Sequence, residues 1–193
     1  MARDTSPAIG IDAMTETGLD AAAFDGLVRE HQKRLYRLLL AMTRDPDEAD
    51  QLTQETFVRA FRHRDAFRGD AAAGTWLTRI AINLVRDRSR SGAWRFWRAL
   101  FRRDGDAAVE AEQVPDGAPD PQRQVLARRD AEAVGCAVLK LPVRQRAAFT
   151  LRYVEEMTLE EIAASMGCEV GTVKAHLARA TAAVRREVGH ERP

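Results

Sequence analysis

A chain of 193 residues, 45% hydrophobic and 31% charged, suits one ordinary domain or two small ones and is too apolar to be disordered. No stretch reaches the roughly 18 apolar residues of a membrane span, and the polar run 1–20 lacks the apolar centre of a signal peptide, so a cytoplasmic location is expected. The net charge is only +1, yet the charges are segregated: 79–103 holds eight arginines against the single acid Asp87, 104–120 holds six acids and no base, and the tail 174–192 is again basic. Such single-sign blocks are electrostatic footprints that the whole-chain sum hides.

Residues 1–18 show no period and read as a flexible leader. From Phe24, apolar residues at Leu27, Val28, Leu35, Leu38, Leu39 and Met42 recur at helical spacing and predict one long amphipathic helix ending near Arg44. Asp45-Pro46-Asp47-Glu48 reads as a fresh start, with Asp45 as N-cap, Pro46 in the first helical position and Glu48 closing a capping box. The helix it opens turns Ala49, Leu52, Thr56, Phe57, Ala60 and Phe61 inward. Its opposite face, Asp47, Asp50, Gln51, Gln54 and Glu55, is an acidic and amide strip that a core cannot use.

Gly69 to Gly74 interrupts the pattern, and Thr75 restarts a helix burying Leu77, Ile80, Ala81 and Leu84, with Trp76 beside them. Past Ser91, Trp94, Phe96, Trp97, Leu100 and Phe101 are interleaved with arginines; a hydrophobic lid on the first domain is the favoured reading of this run. The acidic, Gly- and Pro-bearing stretch that follows has the composition of a linker. Helical periodicity returns near Gln122 and runs to Leu141-Pro142. No run of alternating β-branched residues bounded by turns occurs, so no sheet is expected. The organisation is all-α: a leader over 1–18, a helical domain over 19–91, a flexible linker over 92–121 and a second helical domain over 122–190.

Thr158-Leu159-Glu160-Glu161 is a capping box, and the helix it starts buries Leu159, Ile162, Ala163 and Met166. Gly167 suits the left-handed turn that ends it, and Thr172 opens another helix with Val173, Leu177, Ala180 and Val184 inward. This is a helix-turn-helix. In that motif the second helix presents its N-terminal residues to base edges in the major groove, which nominates Thr172, Lys174, Ala175, His176 and Arg179.

The segment LPVRQRAAFTLRYVEEMTLEEIAASMGCEVGTVKAHLARA, 141–180, resembles the promoter-reading C-terminal domain of bacterial sigma factors. DPDEADQLTQETFVRAFRHRDAFRGD, 45–70, followed by TWLTRIAINLVRDRSR, 75–90, is similar to the N-terminal conserved domain of the short, two-domain extracytoplasmic-function (ECF) sigma factors. The resemblance implies a transcription initiation factor that binds core RNA polymerase and directs it to promoters. The strip Asp47, Asp50, Gln51, Gln54 and Glu55 would dock on a coiled coil of the largest polymerase subunit. Arg68, Thr75, Trp76, Arg79, Asn83, Arg86, Asp87 and Arg90 would hold the single-stranded minus-10 element, Asn83 contacting a base and Trp76 either stacking or anchoring the loop. The loop 70–74 lacks the larger residue that many relatives carry near Ala73.

The helix-turn-helix would read the minus-35 duplex, the face around 141–154 would rest on the flap of the second-largest subunit, and an anti-sigma protein is an implied partner. No membrane insertion, cofactor or metal is expected. Cys136 and Cys168 lack metal-ligand spacing and read as ordinary thiols. No phosphate loop, nucleophile motif or metal cluster points to an enzyme. Two alternatives stand beside this reading: an ordinary helix-turn-helix regulator, which leaves 45–90 unexplained, and a sigma-like decoy that titrates a regulator.

Overall fold

The computed structural model describes residues 14–15, 18–67, 72–90 and 121–190. The leader region contains a short antiparallel hairpin, β1 (Met14–Thr15) and β2 (Gly18–Leu19), pairing Met14 with Leu19 and Thr15 with Gly18. The expectation of no sheet missed it because two residues per strand are too few for alternation to register. Leu19 packs on the core and anchors it. The rest of the described chain is helical, as expected.

Asp20 caps α1 (Ala21–Thr43), accepting from the Ala23 amide at 2.7 Å. The helix ends at Arg44, whose left-handed φ of 54° lets its amide close on Leu40 O at 2.7 Å. Asp45 caps α2 (Pro46–Arg62) by accepting from the Glu48 amide at 2.9 Å. Glu48 was expected to return a bond to the Asp45 amide. That amide instead meets Thr43 Oγ1 at 3.3 Å, while Glu48 lies 3.7 Å from Arg88. Phe61, expected inward, is 41% exposed, set edge-on to Phe24 at 5.2 Å and beneath the Arg64 guanidinium at 4.1 Å.

A 3₁₀ turn, Arg64–Ala66, precedes α3 (Ala73–Arg90), which begins two residues before Thr75. Trp76 is half-buried against Phe67, ring centroids 4.9 Å apart. The linker expectation over 92–121 and the run Trp94 to Phe101 fall, but for Pro121, outside the described residues. After them come α4 (Pro121–Lys140), α5 (Val143–Tyr153), α6 (Leu159–Met166) and α7 (Val170–His190).

The two helical bundles share a core. One buried cluster runs from Phe24, Leu38 and Met42 of α1 through Leu52 of α2 and Leu77 and Ala81 of α3 to Leu151, Ile162 and Val173 of the C-terminal bundle. A smaller cluster, Ala137, Val138, Leu141, Ala180 and Val184, joins α4 to α7. On α3 the buried set Leu77, Thr78, Ala81, Ile82, Leu84 and Val85 covers more than one stripe of the helix, because α3 is packed by α1 and α2 and also by α5 and α6. Arg44 reinforces the join. Its guanidinium lies so close to Gly135 of α4 that a Cβ there would sit 1.8 Å from Nη1, and glycine leaves that path open.

Candidate nucleic-acid and polymerase interface

The helix-turn-helix forms as its caps require. Thr158 Oγ1 accepts from the Glu161 amide at 3.2 Å, and the Glu161 carboxylate accepts from the Thr158 amide at 2.8 Å. These bonds hold the exposed Glu161 carboxyl below its ordinary range, the backbone bond contributing most. Gly167 takes φ 62°, and the Cys168 amide reaches back to Ala163 O at 3.0 Å. The chain then turns into α7, entering two residues before Thr172.

Val173 is fully buried, which fixes the roll of α7 and leaves Thr172, Lys174 and Arg179 exposed. Ala175 and His176 are half-buried. His176 Nδ1 is buried without a hydrogen-bond partner among the described residues. Burial, then the neighbouring Arg144 and Arg179, pushes its imidazole below the ordinary value and favours the neutral ring. Arg144, exposed in the first turn of α5, thus belongs to the same cationic surface. Sequence reading missed it because it lies 32 positions before His176 and outside the motif.

On α3, Thr75, Arg79, Asn83 and Asp87 follow one another at four-residue steps, with Arg86 and Arg90 alongside, so the helix gathers them into one stripe. Arg68 lies outside the described residues. Arg79, Asp87 and Arg90 are exposed, and Thr75, Trp76, Asn83 and Arg86 half-buried. The Arg79 side chain is engaged by the chain itself: Nε donates to Ala164 O at 3.2 Å, and Nη2 donates to the same oxygen.

The strip on α2 is largely open, with Asp47, Asp50, Gln51 and Gln54 exposed and Glu55 half-buried. It is not independent of α3. Arg59 reaches Glu55 at 2.7 Å and Asp87 at 3.9 Å, Asp87 lies 3.6 Å from Arg86, and Arg88 donates to Gln51 at 3.1 Å. A ladder of charge therefore joins the acidic face of α2 to the cationic stripe of α3. At the start of α5, Arg146 of the Leu-Pro-x-x-x-Arg opening is only 2% exposed. It donates to Leu139 O at 2.9 Å and Leu141 O at 3.2 Å, taking up carbonyls at the end of α4, and to Met42 O of α1 at 2.8 Å.

Both cysteines are free, Cys136 exposed and Cys168 half-buried. Among the described residues no group of His, Cys, Asp or Glu could hold a metal ion, and no helix is long and apolar enough to cross a membrane.

Comparison with known proteins places this geometry in a family. Residues 27–95 match Sigma-70 region 2, and residues 131–184 match Sigma-70, region 4. The RNA polymerase sigma-H factor of Pseudomonas aeruginosa is 35% identical over 173 residues, 86% of each chain. The ECF RNA polymerase sigma-E factor of Escherichia coli K12 is 34% identical over 177 residues, 88% of each chain. Among solved structures, CnrH in complex with the cytosolic domain of CnrY matches with a TM-score of 0.61 at 26% identity, over 89% of this chain and 91% of that one. The sigma factor RpoE in complex with the anti-sigma factor NepR from Bartonella quintana shares the fold, with a TM-score of 0.60 at 21% identity over 88% of this chain and 98% of that one. Two helical bundles in region 2 then region 4 order, with this similarity along nearly the whole length, make the chain a member of the ECF group of the sigma-70 family, whose members are transcription initiation factors of RNA polymerase rather than enzymes.

Proposed function

We propose that this chain binds core RNA polymerase through the α2 strip and directs it to promoters, reading the minus-35 element as duplex with α7 and the minus-10 element as a single strand along α3. The observation that carries the reading is the exposed N-terminal surface of α7, with Thr172, Lys174 and Arg179 facing outward behind a closed capping box and a left-handed glycine turn. Arg179 suits base edges or phosphates, and Lys174 a phosphate. Along α3, Asn83 is the choice for a base contact, Arg86 and Arg90 for the strand's phosphates, and Trp76 for anchoring the loop, since its ring is already committed to Phe67. Asp47 and Asp50 supply the open acidic face for a basic partner, with the Gln54 amide beside them donating to Asp50. Two weak DNA contacts on one chain gain strength when polymerase sets their spacing. The domain limits follow the same reading: 19–91 for polymerase and minus-10, 122–190 for minus-35, with an anti-sigma protein as a further partner.

Run-off transcription with purified bacterial core polymerase on promoter fragments from the source genome tests it. Initiation at defined sites that depends on the chain is expected, and charge reversal at Asp50 and Glu55 should lower polymerase binding while leaving the helical content intact. Polymerase bound but silent would favour the decoy; no binding at all would return the chain to an ordinary DNA-binding regulator.

A further inference from the structure

His176 stands in the middle of the α7 surface with one ring nitrogen unmatched. Thr172, His176 and Arg179 follow at steps of four and three residues and so share one stripe of the helix, and the fully buried Val173 fixes the roll that turns this stripe outward. Thr172 and Arg179 are exposed, with the half-buried His176 between them. Its Nδ1 is shut off from solvent and has no hydrogen-bond partner among the described residues. A neutral imidazole tolerates this by leaving that nitrogen as a bare lone pair. An imidazolium is a donor at both nitrogens and would find no acceptor at Nδ1.

The charges around the ring act in the same direction. Burial does most to hold it below the ordinary 6.5, followed by Arg144 from the first turn of α5 and then Arg179 from the next turn of α7. Helices α4 and α6 also pack on α7, but among the described residues neither brings a charged group that acts on the ring. No carboxylate therefore offsets the two guanidinium groups. Two exposed arginines from different helices beside a neutral ring suit an anion. A phosphate oxygen accepts from guanidinium groups, and its charge cancels the repulsion that keeps the ring neutral. The histidine χ2 torsion is broad, so a half turn of the ring carries Nδ1 to the open side, where the phosphate is the acceptor it lacks.

We propose that the minus-35 duplex binds with uptake of one proton from solvent at His176, through a backbone phosphate seated on Arg144, His176 and Arg179, so that promoter engagement strengthens as pH falls. This rests on the reading of α7 as the minus-35 surface, which Arg144 extends onto α5. Duplex phosphates stay ionised throughout the neutral range, so the titration belongs to the ring. The complex holds the proton more readily than the free chain does. Affinity therefore rises as pH falls through the midpoint of the complex and levels off below the midpoint of the free ring.

The test uses the full-length chain and a fluorescently labelled duplex carrying the minus-35 sequence of a promoter mapped by run-off transcription. Anisotropy titrations at constant ionic strength should show binding about fivefold tighter at about pH 5.5 than at about pH 7.5. His176→Gln should flatten that profile, and His176→Arg, charged at both values, should flatten it at the tight end. Arg144→Ala should weaken binding at both values and make the slope shallower, since it removes a phosphate contact and part of the repulsion together. His31→Gln, on α1, should leave the profile unchanged. In nuclear magnetic resonance, the ring proton signal that His176→Gln removes should titrate at a higher pH in the complex than in the free chain. A flat profile in the unsubstituted chain, or a slope that survives His176→Gln, overturns the proton uptake alone when Arg179→Ala still weakens duplex binding. If Arg144→Ala changes neither affinity nor slope, the seat on α5 is overturned. If Lys174→Ala and Arg179→Ala both leave duplex binding as it was, the assignment of α7 fails, and the proposal fails with it.

Discussion

Helices α3 and α7 are built from similar materials, each a long amphipathic helix with an apolar side in the core and arginines on the other, yet they end in different situations. The roll of α7 is fixed by one buried side, anchored at Val173 and Ala180, and its N-terminal cations face solvent. Helix α3 is packed from two directions, so its polar stripe is squeezed between neighbours: Asp87 lies 3.9 Å from Arg59, Arg88 bonds Gln51, and Arg79 caps α6. An arginine's chemistry is therefore no guide to its availability. What decides is how many sides of its helix the core consumes.

Four substitutions sharpen or break this contrast. Arg146→Ala should have the largest effect, because it strips partners from the carbonyls of Met42, Leu139 and Leu141 and leaves a void where a fully buried side chain stood. A loss on the order of 3 kcal/mol is expected in chemical denaturation, with the bundles parting more readily. An unchanged midpoint would mean that the bonds of Arg146 contribute nothing to the packing that encloses α3. Arg179→Ala should weaken minus-35 duplex binding by about 1 to 3 kcal/mol and reduce its salt dependence, leaving compaction and polymerase binding alone. Should polymerase binding fall instead, Arg179 is structural and the open face of α7 loses its assigned purpose.

Thr158→Ala removes one half of the capping box and should cost about 1 kcal/mol. Because α6 carries both the turn into α7 and the Ala164 carbonyl, hydrogen exchange should rise at both ends of that helix. The smallest effect is expected at His31 on α1. Burial pushes its imidazole below the ordinary 6.5, with Glu30 opposing and Arg34 assisting. The folded chain binds its proton less readily than the unfolded chain, so this contribution is complete above about pH 6.5 and is lost as pH falls toward the lowered value. His31→Gln should flatten the stability profile on the acidic side of neutrality. A profile steeper than that of the unsubstituted chain would reverse the sign of His31's role.

The parts legible from sequence are those governed by a few neighbouring residues. Thr158 and Glu161 form the box their spacing implies, Gly167 takes the left-handed turn, Asp45 caps α2, and the periods of α1, α6 and α7 match the buried faces. Apart from the short hairpin, the misses arise where tertiary contacts enter. Glu48 satisfied the local rule for a capping box but lies near an arginine 40 positions away. Phe61 kept the helical period of an inward residue, but its ring lies at the rim, between Phe24 and Arg64. Arg144 joined the α7 surface from another helix. Arg88, Phe24 and Arg144 are distant in sequence and lie outside any local window, while Thr43 and Arg64, close in sequence, take the Asp45 amide and one side of the Phe61 ring.

The sequence by itself determined that the chain is helical, where most of its helices start and stop, and that it carries a helix-turn-helix beside an acidic strip and a cationic stripe, because caps, turns and periodicity act over one or two helical turns. Only the tertiary structure decided that the two bundles share one core, that Arg146 and the Arg34–Glu155 pair bind them together, and that Arg79 is spent on the end of α6 while Arg179 is left in solvent. Those outcomes depend on which apolar faces meet, and burial joins surfaces that the chain order keeps far apart.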